Sequence, residues 1–322
     1  MAGAERARPP VRALVVGAGA VGARAVRQLA SSPDVEVLVH DVDPHRVDVV
    51  IEAIGAPARA AGRDEDADVV VLAHPAGDHA ERALALAARG IPCVSTSTAL
   101  DDVRALLAAT AVEVPVVVGA AFAPGLSCLL AAHAAGSLDV VDEIHVARVG
   151  AGGPACEHER RDAAAARGED WRGGGWVAAR GGRTVWFAPP VGARTCHPAG
   201  VADAVLLHRA FPNASAVSAR LASSLGDRLP RLRPATGELG IGGLRVEVRG
   251  RRSGAQVNLV YGAVDRPAVA AGAVAAESAL AAATGRIPPG PHGLAELDDP
   301  LEVLQALAAR GIKAAVLDPA SS

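Results

Sequence analysis

Lysine and tyrosine are almost missing from this chain of 322 residues: Lys313 is its one lysine, Tyr261 its one tyrosine, and the rest of its basic charge is arginine, with ten histidines besides. That shortage removes whole mechanisms. There is no Tyr-x-x-x-Lys proton-transfer pair and no phosphate-loop lysine, and a Schiff base has no donor unless Lys313 serves. Aromatic residues make up 2% of the chain, too few to stack single-stranded bases, and a net charge of -3 builds neither a nucleic-acid surface nor an acidic tail. Cys93, Cys128, Cys156 and Cys196 follow no disulfide-framework spacing. The opening "MAGAERARPP" has no apolar core of a leader, and the Ala-rich Pro267 to Ala283 is interrupted by Glu277. The expectation is a cytoplasmic protein that engages neither membrane nor nucleic acid.

Half of the residues are apolar, mostly alanine and valine, and the length allows one large or two medium domains. The apolar run Val11 to Val16 leads into "GAGAVG", then a helical pattern through Leu29, then a second strand, "VEVLVHD", ending at Asp41. In this βαβ setting Gly17 permits a tight turn, Gly19 lets a diphosphate approach the backbone, and Gly22 lets the helix pack closely on the strand. Ala20 and Val21 lie between these glycines and belong to the same cofactor-binding set. Asp41 sits where an acid takes a ribose 2′-hydroxyl, favouring NAD over NADP; Arg46 softens the preference because it can reach a 2′-phosphate. Strands such as "DVVVLAH", "IPCVSTS" and "VPVVVGA" then alternate with helices, which predicts a parallel doubly wound sheet over residues 1–137. His74, Pro75, Ser97 and the turn at Pro124-Gly125 all fall at its carboxyl edge, with a helix opening at Leu126 or Ser127.

From Leu138 the rhythm changes to strands between Gly/Pro turns. Residues 138–265 are expected to form an α+β substrate and dimerisation domain with a mostly antiparallel sheet, whose alternation of Arg245, Glu247 and Arg249 with Leu244, Val246 and Val248 marks one wet face. Helices within 266–322 complete the first domain, the tail packing back on it. The charged, Gly-rich stretch "GAGGPACEHERRDAAAARGEDWRGGGW" is read as a loop reaching over the cleft. Within it, His158 is a candidate proton donor. Cys156, His158, Cys196 and His197 do not make a metal site, because ligands adjacent or next-but-one in sequence rarely fit one tetrahedron.

Taken together, "VVGAGAVG", "VLVHD", "DVVVLAHPAGDHAERALALAARGIPCVSTS", "AAFAPGLSCLLA" and "LEVLQALAARGI" resemble, in matching order over nearly the whole chain, the saccharopine dehydrogenase-like Rossmann oxidoreductases. The resemblance implies cofactor contacts from Gly17, Gly19, Gly22 and Asp41, and a nicotinamide side lined by His74, Pro75 and Ser97. It also departs: where the better known reductases read Asp-Pro-Gly-Ile-Asp-His, this chain has Ala123 to Cys128, without either acid or the histidine, which argues against saccharopine as substrate. The implied activity is an NAD(P)-dependent oxidoreductase, expected to be a homodimer by analogy of fold, acting on a C=O or C=N bond of a small metabolite. His158, His74 and Cys128 are its candidate catalytic groups, and Arg148 or Arg194 the holder of a substrate carboxylate. A catalytically idle dinucleotide-binding sensor or scaffold is the alternative.

Overall fold

The computed structural model describes residues 9–150, 152–223 and 240–317; the first eight residues, Ala151 and the tail from Asp318 lie outside them. The apolar runs of the first half become β1 (Val11–Val16), β2 (Val35–His40), β3 (Ala58–Ala60), β4 (Val69–Leu72), β5 (Cys93–Ser95) and β6 (Pro115–Val118). All their ladders are parallel, in the spatial order β3-β2-β1-β4-β5-β6. Helices α1 (Ala20–Ala30), α2 (Pro44–Ile54), α3 (His79–Ala88) and α4 (Leu100–Leu107) make the crossovers. A parallel sheet covered on both faces needs apolar side chains at every position, and in β4 all four residues are buried. Strand order reverses between β1 and β4, which opens a crevice at the carboxyl ends there.

After α5 (Leu126–Ala135) the chain enters a second sheet through β7 (Val140–Val149). It continues through α6 (Pro154–Ala165), β8 (Glu169–Arg172), β9 (Gly175–Ala178), β10 (Arg183–Phe187), β11 (Gly192–His197), α7 (Asp203–Ala210), β12 (Ala216–Ala222), β13 (Gly242–Arg252) and β14 (Ala255–Asp265). Its ladders are antiparallel except that between β12 and β7. The fold is therefore a Rossmann-type parallel sheet joined to a mixed, mainly antiparallel one.

Three expectations are corrected here. The Gly-rich stretch is not a loop: Pro154 follows Gly153 at the first position of α6, alanine and charged helix formers carry the helix on, and β8 and β9 form a hairpin behind it. The wet face of β13 is largely covered, since Arg245 is 5% and Glu247 7% exposed, with Glu247 accepting hydrogen bonds from Arg249 and Asn258. The tail divides its packing between the two halves. Helix α8 (Pro267–Ala283) lies against α1, with Gly272 leaving no room for a side chain beside Arg24 and Ala25. Strand β15 (Gly290–Gly293) extends the first sheet beside β6, and Arg310, following α9 (Pro300–Ala309), donates to Gln28 O. The last strand, β16 (Ala314–Leu317), instead pairs with β14 in the second sheet, where Gly262 makes space for Leu317.

Candidate active site

A cleft of about 880 Å³ runs from the β1–α1 turn to the amino end of α6, between the carboxyl edge of the first sheet and the second half of the chain. The glycines at one end divide their work by geometry. Gly17 has φ +107°, and a Cβ there would lie 2.6 Å from the backbone of Ala73 and His74. A Cβ on Gly22 would lie 1.7 Å from Gly17 O, so this position sets how closely α1 meets the turn. At Gly19 a Cβ would meet nothing within 4 Å. That open space faces the amino end of α1, which has no side-chain cap and no acidic residue in its first turn, leaving its backbone donors and partial positive charge to an anion.

Ala20, Val21, Asp41 and Arg46 line the same end of the cleft, whereas Gly22 lies beneath it as packing. Asp41 accepts hydrogen bonds from Ala18 N (2.6 Å) and Asp43 N (2.9 Å), which fixes its carboxylate against the glycine turn. Arg46 is exposed and pairs with Asp43 at 3.4 Å.

At the other end His74 and Pro75 line the cleft. His74 Nδ1 is 3.0 Å from Pro75 O and 3.2 Å from Asp78 Oδ1, both acceptors, so that nitrogen carries the proton; Nε2 is buried without a partner. Beneath it His79 Nε2 donates to His74 O and Nδ1 accepts from Ser95 Oγ, each at 2.9 Å. Burial, followed by the neighbouring His74 charge, pushes His79 down to about 4.

The structure moves four expected site residues out of the cleft. Ser97 is buried and donates to Asp102 Oδ2 at 2.7 Å, while Thr96 and Thr98 face the cleft in its place, because successive residues of extended backbone point to opposite sides. His158 is exposed and does not line the cleft. In a helix the face belongs to Cys156, Glu159 and Arg160, spaced three and four apart, and His158 falls on the other side. Cys128 is fully buried within α5, its thiol pushed up to about 12 mainly by burial, so it packs and does not reach the cleft. Arg194 is exposed on β11, outside the lining. Among the described residues no group of three or more His, Cys, Asp or Glu side chains is arranged to hold a metal ion.

Two acids that sequence reading did not assign to the site stand near Arg148 instead. Glu159 crosses from α6 to the first sheet's loops, accepting from Ala76 N at 3.2 Å and Thr98 Oγ1 at 3.4 Å, and burial raises its carboxyl above the usual range. Asp203, 1% exposed at the start of α7, accepts from Ser127 Oγ at 2.5 Å, and burial raises it too. A carboxyl absent at position 127 is thus brought alongside it from another element. Only the helical register of Cys156 and Glu159 signals the first of these in sequence; nothing signals the second.

No known protein-family profile matches the sequence, and neither does any curated protein. Solved structures do match in fold. Saccharopine dehydrogenase (L-Glu forming) of Saccharomyces cerevisiae superposes with a TM-score of 0.69 at 14% identity, over 96% of this chain and 100% of that one. DAP dehydrogenase of C. glutamicum, in complex with DAP, gives 0.51 at 16% identity over 95% and 100% of the two chains. An engineered D-amino acid dehydrogenase bound to NADP+ gives 0.50 at 16%, over 94% and 100%. The resemblance read from the sequence therefore holds for the fold.

Proposed function

We propose that this chain is an oxidoreductase that binds a nicotinamide dinucleotide along the cleft and acts on a C=O or C=N bond of a small metabolite. The observation that carries the reading is the open space at Gly19, facing an uncapped helix end and flanked by the carboxylate of Asp41. The diphosphate fits that cradle, since it needs close backbone approach and positive partial charge and finds both. Asp41, tied to Ala18 and Asp43, is placed to accept from the adenosine ribose hydroxyls and repels a 2′-phosphate, while Arg46 is engaged by Asp43; both features support NAD over NADP. That nucleotides accompany this fold in at least one solved relative, the dehydrogenase bound to NADP+, agrees with the assignment of the cleft.

When bound, the nicotinamide supplies or receives the hydride. The chain's own residues supply the proton and the positioning. Glu159, held by Ala76 and Thr98, is an acid whose burial favours keeping a proton to donate, and His74, with its proton on Nδ1, offers Nε2 only as an acceptor. Cys156 beside it is a thiol pushed up to about 11, suited to donating a weak hydrogen bond and not to nucleophilic attack. Calorimetric titration with NADH and NADPH checks the reading: saturable binding is expected, with NADH tighter by about tenfold, on the order of 1.4 kcal/mol. No saturable binding of either dinucleotide at millimolar concentration overturns it.

A further inference from the structure

Arg148 leaves β7 and enters the cleft without an ion pair, since Asp203 and Glu159 act on its charge only from beyond ion-pair distance. Its Nη1 donates to Ala123 O, its Nε is buried without any partner, and among the described residues no carboxylate stands within ion-pair distance of the guanidinium. Burying a guanidinium with one carbonyl as acceptor is costly unless an anion completes it. The acids in range do not serve. Asp203 lies outside the lining, bound by Ser127 through Oδ1 with its Oδ2 buried and unpartnered, and Glu159 is tied to Ala76 and Thr98; neither reaches the guanidinium. A second donor set converges on the same wall. The amino end of α6, with Gly153 as its N-cap and no side-chain cap, contributes Gly152 to Cys156 to the lining, so its first-turn backbone donors open on the cleft beside Arg148.

We propose that Arg148 and the amino end of α6 form an anion subsite that takes the carboxylate of a small oxo or hydroxy acid. The assignment rests on the cleft being the dinucleotide site proposed above and names what binds beside it. An amino acid fits less well: its ammonium needs an open carboxylate, and the acids lining the cleft are Asp41, at the far end on the glycine turn, and Glu159, already hydrogen-bonded. A carbonyl or hydroxyl next to the carboxylate asks only for neutral partners, which Thr98 and Cys156 provide.

The test is a calorimetric comparison of pyruvate with pyruvamide and of lactate with alanine, each titrated into the protein with and without NAD. Pyruvate and lactate are expected to bind tighter than their uncharged or ammonium-bearing counterparts by about tenfold or more. Arg148→Met should abolish that preference while changing the NAD dissociation constant by less than about twofold, and Arg148→Lys should restore part of it. The lysine variant also decides the matter if the methionine variant does not fold. Pyruvamide binding as well as pyruvate, alanine binding as well as lactate, or neither acid binding at all overturns the subsite. Absence of NAD binding in the same titrations overturns the dinucleotide reading separately, because the arm without NAD still reports on Arg148.

Discussion

At the scale of single residues, one glycine motif holds two different kinds of constraint. Gly22 is a packing position, where an alanine methyl would sit 1.7 Å from Gly17 O, and Gly19 is a vacant approach with ordinary backbone, φ -73°. Gly22→Ala is therefore expected to lower stability by about 3 kcal/mol or more, since neither the turn nor α1 can yield cheaply. Gly19→Ala should change stability by less than about 1 kcal/mol yet weaken NADH binding by about tenfold or more. Urea unfolding and NADH titration of both variants separate the two; equal effects on both measurements would refute the division. The spacing of these glycines was legible in the sequence, and so were the turn at Gly17 and the close packing at Gly22. His158 was not: its exclusion from the cleft depends on Pro154–Ala165 being helical, which turns a cluster of adjacent polar residues into two opposite faces.

Among the elements, the β8–β9 hairpin is joined to the second sheet by a buried pair. Arg220 of β12 donates to both oxygens of Asp170, at 2.6 and 2.8 Å, with the two residues 5% and 2% exposed. Removing one partner strands the other charge, so Asp170→Ala is expected to cost about 3–5 kcal/mol, and the double change with Arg220→Met to recover much of that loss. Chemical unfolding of the three variants measures it, and a double variant no more stable than the single one would show that packing, not charge, holds the hairpin. Alternation in β12 and β13 was readable in advance, but not that charged side chains would be covered. A polar residue in a strand looks the same in sequence whether water or a neighbouring strand satisfies it.

For the whole molecule, His79 links the stability of the cleft's floor to pH. It lies between α3, β5 and the turn at His74, is fully buried, and is pushed down to about 4 by that burial and by His74, against the smaller opposing influence of Asp102 and Asp78. The unfolded chain takes up this proton near pH 6.5 and the folded one only near 4, so His79's contribution is complete above pH 6.5 and is lost as pH falls through that window. The loss amounts to about 3 kcal/mol on the usual conversion of pKa shift to free energy. Unfolding free energies measured across that range should fall with acid, and His79→Gln should flatten the fall; an unchanged slope in the variant would assign it to other groups.

The sequence by itself determined the parallel sheet, the glycine cradle with Asp41 and the change to a second sheet near Leu138, because each is written in local periodicity or in a contiguous motif. Only the tertiary structure decided what stands at the far end of the cleft. Arg148, Glu159 and Asp203 come from β7, α6 and α7, and their meeting depends on how the second sheet docks against the first. The burial that raises both acids and leaves Arg148 without an ion pair arises only in that docking, so no spacing along the chain could announce it.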